Sequence, residues 1–193
     1  MKRFSAALLL SLMATPVVAH VGQGESSAFM AGATHPFSGF DHILAMVAVG
    51  LWAGLRGDNA RWIWPASFVG AMIFGGVLAM SGAELPFVEQ GILASVLALG
   101  LALAFGFRAP VGVGAALIGV AGICHGFAHG AEAPLSGGGA LYALGFVLAT
   151  SLLHAVGLFA IITLSNTWSH RVARLAGLAT LAGGAYIALG TSL

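Results

Sequence analysis

The chain has 193 residues and a formal net charge of +1 at pH 7. Apolar residues make up 59% and charged residues 7%, against roughly 25% charged in an ordinary soluble domain, so too little charge remains to cover a water-facing surface. The same balance excludes a disordered chain, and one lysine with six arginines, with no basic cluster beyond Arg171 and Arg174, excludes nucleic acid as a partner. The single cysteine, Cys124, excludes an intramolecular disulfide. The composition predicts an all-α integral membrane protein in contact with the lipid bilayer.

Met1, Lys2 and Arg3 give a positive start, and a short apolar run follows from Phe4 to Ala14. Val17 and Ala19 then occupy the −3 and −1 positions of a cleavage site, so residues 1–19 are expected to be a secretory signal peptide. The mature chain would begin at His20, and residues 20–193 form a single membrane domain. Six stretches suit a bilayer core that takes about 20 apolar residues per helix. They run roughly 36–55, 62–80, 90–107, 111–131, 139–164 and 172–191, joined by short polar or proline-bearing connections. The expected architecture is a six-helix bundle.

Charge orients it. With the mature start outside, Arg56, Arg61, Arg108, Arg171 and Arg174 all fall in or beside inner connections, while Glu25, Glu84, Glu89 and Glu132 fall outside. Both ends of the mature chain are then expected on the outer side. Ala115, Gly119, Gly122, Gly126 and Gly130 form a small-residue stripe on the fourth span, a surface that lets a neighbouring helix approach closely.

Ionisable residues inside a span cost about 2.5–3.5 kcal/mol each on insertion scales, so they mark a site. Asp41 and His42 are expected four to six residues inside the first span, with His125 and His129 near the outer end of the fourth. Spacing groups them further. His125 and His129 are i and i+4 and can hold one metal ion from a single helix face, which Glu132 extends. His35 and His42 are seven apart on one face, with the Met46 thioether a turn deeper. Asp41 points about 100° away from His42 on an ideal helix; it is either a ligand itself or a hydrogen-bond partner that fixes an imidazole. Glu89, at the outer start of the third span, is the next carboxylate, and His20 would offer an amine and an imidazole at the mature terminus. His154, deep in the fifth span, is expected to hydrogen-bond between helices, His170 to be solvated, and Cys124 to be a small buried hydrophobe. Imidazole with carboxylate suits Ni, Co, Zn or Cu, bound by deprotonated ligands. The absence of cysteine pairs argues against a thiolate site.

The run His35-Pro-Phe-Ser-Gly-Phe-Asp41-His42-Ile-Leu-Ala-Met46-Val-Ala-Val-Gly50-Leu-Trp52-Ala53 closely resembles the first signature of the HupE/UreJ family, the hydrogenase- and urease-accessory nickel permeases. His125-Gly-Phe-Ala-His129-Gly-Ala-Glu132 resembles its second. The resemblance implies uptake of nickel, or cobalt, from periplasm to cytoplasm across a bacterial inner membrane, for hydrogenase or urease maturation. It carries metal-handling roles onto His35, Asp41, His42, His129 and Glu132, with Glu89 and His125 in the same site. The ion is cargo; no organic cofactor and no enzymatic activity are expected, and intracellular metallochaperones or a second copy of the chain are the expected protein partners. No nucleotide-binding loop is present, the one lysine being Lys2. The residues alone leave two other functions open: a membrane-embedded zinc-dependent hydrolase, and a metal-sensing or assembly protein.

Overall fold

The computed structural model describes residues 25–133 and 138–190. They form seven α-helices and one 3-10 turn: α1 (Glu25–Thr34), the turn His35–Phe37, α2 (Phe40–Arg56), α3 (Ala60–Met80), α4 (Val88–Ala104), α5 (Val111–Glu132), α6 (Gly139–Ile162) and α7 (Asn166–Gly190). The helices α3, α5, α6 and α7 are each long and apolar enough to cross a membrane, and α1 with α2, bent by 78°, together make a fifth candidate. Outward-facing Leu117, Val120, Leu148, Leu152, Leu175 and Leu178 are all exposed, an apolar surface far beyond what a water-soluble monomer presents. The protein is a membrane protein whose described residues are all-helical.

The second, fourth and fifth predicted spans agree with α3, α5 and α6 to within two residues. Three expectations need correction. The first span is not one helix. Pro36 lacks the N–H that would continue α1, and Gly39 is extended at φ −100° and ψ 122° before α2 begins. Asp41 and His42 therefore sit in the first turn of α2, not four to six residues inside a span. The third span is displaced, α4 running 17 residues from Val88 to Ala104 against the expected 90–107. It ends where Gly106 turns to φ 64°, with the Phe107 N–H on the Ala102 carbonyl and the Gly106 N–H on the Leu103 carbonyl, an arrangement that closes a helix C-terminus. The segment read as a polar loop before the sixth span is instead the start of α7, which carries His170 and Arg171, the guanidinium 5.2 Å from the Trp168 ring centre. The expected signal peptide, and His20 with it, lies outside the described residues.

Glycines set the helix pairing. On α5, a side chain at Gly122, Gly126 or Gly130 would collide with the carbonyls of Phe68, Met72 or Gly76 on α3, and Gly75 meets the Ile123 carbonyl in return. In the same way α2 and α6 touch backbone to backbone at Gly50 and Gly157, α1 and α6 at Gly32 and Gly145, and α4 and α7 at Gly100 and Gly177. Gly119 of the expected stripe is different: a methyl there would find Ala71 Cβ at an ordinary 3.9 Å. At the arginine end, the connection from α4 to α5 is pinned by side chains. The Trp52 indole donates to the Phe107 carbonyl at 2.8 Å, the Trp64 indole to the Val111 carbonyl at 2.8 Å, and Arg56 Nε to the Ala109 carbonyl at 3.0 Å.

The two kinds of glycine should respond oppositely to alanine. Gly126→Ala forces α3 and α5 apart and should destabilise by about 1–3 kcal/mol, the usual cost of overpacking. Gly119→Ala should be neutral or stabilising by up to ~1 kcal/mol through helix propensity. Thermal unfolding of the purified proteins in detergent checks both, and equal midpoints would refute the assignment.

Candidate metal centre

Three imidazoles converge at the end of the bundle opposite the arginines. His35 comes from the 3-10 turn, His42 from the first turn of α2, and His129 from the last turn of α5. The bend at Pro36 and Gly39 brings His35 beside His42, and the close α3–α5 contact fixes the height of His129. Each ring offers one nitrogen such that all three lie within 4.8 Å of one another. Ring centres are 4.3 Å apart for His42 and His129, 4.6 Å for His35 and His129, and 6.4 Å for His35 and His42. His42 and His129 are buried and His35 is half-buried.

Two carboxylates attend the rings. Glu132 Oε2 lies 3.2 Å from His35 Nε2 and 3.5 Å from His129 Nδ1, while its side chain remains 59% exposed. It thus joins the cluster to the outside. Asp41 Oδ1 lies 2.9 Å from His42 Nδ1, so the two side chains meet instead of diverging by 100°. The contact is a close polar approach, not an aligned hydrogen bond, since His42 Nδ1 has no hydrogen-bond partner among the described residues. A carboxylate there favours the proton on Nδ1, which leaves the Nε2 lone pair for a metal. Asp41, in the first helical turn, also gains from the exposed amides of the α2 N-terminus.

Neither ring nitrogen of His129 has a hydrogen-bond partner among the described residues. His42 Nδ1 is in the same state, and since a buried polar group left so costs about 1–3 kcal/mol, two such rings at one point would be a poor packing solution. A shared cation would satisfy them together. The cluster is a donor set of three imidazoles and one carboxylate, fit for a borderline divalent transition metal.

His125 does not belong to this convergence. It lies one turn along α5 from His129, its ring 5.4 Å from that of His42. Glu89 stands in the first turn of α4 and shares with Asp41 a cavity of about 200 Å³ lined also by Gln90, Leu93 and Ile187; it is not among the clustered ligands. Met46 is fully buried in the core.

Sequence reasoning passed over two aromatic neighbours. Phe146 packs 4.5 Å from the His129 ring and Tyr142 lies 6.0 Å from that of His35. With Met72, Met80 and Gly126 they line a cavity of about 90 Å³ beside His129. Aromatics in an apolar span carry no pattern that would have separated them from lipid-facing ones.

The model of the family described as HupE / UreJ protein matches residues 8–187. The chain belongs to the HupE/UreJ family. A curated relative, Protein HupE of Rhizobium leguminosarum bv. viciae, is 42% identical over 182 residues, which cover 94% of this chain and 95% of that protein. No solved structure matches. Every member of the clustered ligand set falls inside the family match.

If the three rings and Asp41 serve one ion, their contributions should not add. His42→Ala and His129→Ala should each weaken Ni²⁺ binding strongly, and the double variant should be little weaker than either. Asp41→Asn, which keeps the volume and removes the charge, should lower affinity by about 10–100-fold. Calorimetric titration of purified protein measures all four, and additive losses would show that the rings do not share an ion.

Proposed function

We propose that this HupE/UreJ protein is a permease for divalent transition-metal ions, nickel or cobalt, carrying them from the periplasm to the cytoplasm for the maturation of hydrogenase or urease. The observation that carries the reading is the convergence of His35, His42 and His129 with Glu132. Exposed Glu132 and half-buried His35 receive the ion, and buried His42 and His129 replace part of its hydration shell. The resemblance of the two signatures to accessory nickel permeases supplies the metal and the physiological setting; the cluster alone suits several metals.

In this reading the chain crosses the inner membrane six times. The bent α1–α2 unit is the first span and the short α4 the third. The histidine end faces the periplasm and the arginine end the cytoplasm, as the positive-inside rule requires. Segregation supports this: Arg56 reaches the loop carrying Arg108 through Ala109, and the histidine cluster lies at the other ends of α2 and α5. The mature chain begins at His20 after a cleaved signal peptide, and both of its ends are periplasmic. His20 and Glu89 collect ions outside the cluster.

Uptake into proteoliposomes decides the function. Saturable Ni²⁺ or Co²⁺ accumulation is expected, and His42→Ala should remove most of it per folded molecule. Binding without accumulation, with hydrolysis of lipid or peptide, would establish an enzyme instead. Orientation has its own test in a Cys124→Ser background: Asn59→Cys should resist a membrane-impermeant thiol reagent added to intact cells, and labelling there would invert the topology.

A further inference from the structure

Two more imidazoles lie inside the bundle and are not members of the clustered set. His125 on α5 is fully buried and His154 on α6 is 2% exposed. Both rest on the same buried Phe68 ring of α3, His125 with ring centres 5.4 Å apart and His154 edge-on at 5.0 Å. His125 Nδ1 lies 2.9 Å from the Ala121 carbonyl. A carbonyl only accepts, so Nδ1 carries the proton and the lone pair sits on Nε2, the tautomer lock of a metal-ligating histidine. That Nε2 has no partner among the described residues, and neither has either nitrogen of His154. The expected role of His154, a hydrogen bond between helices, is therefore absent. An imidazole kept for structure in a membrane bundle finds a hydrogen bond, because burying it unpartnered is costly.

The surroundings of His154 lead toward the arginine end. It lines a cavity of about 330 Å³ between α3 and α6, together with Arg61, Pro65 and Ser151. Pro65 stands inside α3 without an N–H, so the Arg61 carbonyl loses its usual helical donor. Arg61 and Ser151, whose hydroxyl donates to the Val147 carbonyl at 2.7 Å and keeps its lone pairs, belong to the same cavity wall.

Building on the permease reading, we propose that His125 and His154 form a second, weaker cation station between the outer cluster and the Arg61 end. Its ligand is a hydrated divalent transition-metal ion. His125, 5.4 Å from the His42 ring, takes the ion from the cluster, and His154 passes it to the cavity beside Arg61. Two imidazoles with retained water hold an ion less firmly than three imidazoles and a carboxylate. That ordering suits a site from which cargo must leave.

The test is Ni²⁺ uptake by the full chain in proteoliposomes, with equilibrium Ni²⁺ binding measured on the same preparations. His154→Phe preserves the aromatic contact with Phe68 and removes the ligand. It should lower the maximal rate per folded molecule roughly tenfold, leaving the half-saturating concentration and the affinity of the cluster unchanged. His125→Gln, which needs no change at His154, should show the same pattern. Wild-type rates in either variant would overturn the station while leaving the permease reading intact. Parallel loss of cluster affinity would also overturn it, by making these rings part of one site. Absence of uptake by the unaltered protein would overturn the permease reading and the station with it.

Discussion

Lipid tails are as apolar as leucine, so the helices of this protein gain little by hiding side chains from their surroundings. They associate where backbones can come close enough for dense packing. Glycine provides that approach at each main pairing: α3 with α5, α2 and α1 with α6, α4 with α7. Direct backbone contact fixes the relative height of two helices to a fraction of a turn. A metal site assembled from three chain segments depends on that precision, since donor atoms must meet within ångströms. The height of His129 against α3, and of His42 against α6, is thus decided by residues with no side chain at all.

The second requirement is a break in regular structure. A continuous first helix would place His35 and His42 about two turns apart, roughly 10 Å along the axis. Pro36 and extended Gly39 turn the chain instead, and the His35 and His42 ring centres come to 6.4 Å. Irregular backbone at membrane depth is tolerated where protein covers it, and α6 supplies the cover: Tyr142 and Phe146 pack around His35. The same bend brings Asp41 into the first turn of α2, where the helix terminus offsets part of the burial of its charge.

Much of the architecture was readable because apolar length is a local signal. Spans two, four and five needed nothing more. The break in the first span was signalled by Pro36 and Gly39, but the length of the apolar run outweighed them. For the site, residue types and spacing singled out His35, His42, His129 and Glu132. Spacing could not tell which of His125 and His129 joins the others. Both lie on one face of α5, and the choice depends on how α5 crosses α2, which contacts with a third helix decide. The meeting of Asp41 with His42 was hidden because the 100° rule gives only the directions in which neighbouring side chains leave the helix, and Oδ1 and Nδ1, further out in the open first turn, still reach each other at 2.9 Å.

The polar column lies on a seam between helix groups. Backbone contacts tie α3 to α5 and tie α1 and α2 to α6. Across the seam, described contacts run largely between side chains: His42 and His35 against His129, His42 against His125, His154 against Phe68, Thr150 Oγ1 3.8 Å from Met72 Sδ, and Trp52 against Trp64. One group carries His129, His125 and Phe68; the other carries His35, His42 and His154. A side-chain seam can adjust by rotamer changes and small shifts, whereas a glycine contact between backbones has no such slack. Candidate ligands divided across the seam therefore change their mutual distances with any displacement between the groups. Rigid pairing positions the donors, and the seam between the pairs is where an ion can be gripped from both sides and let go.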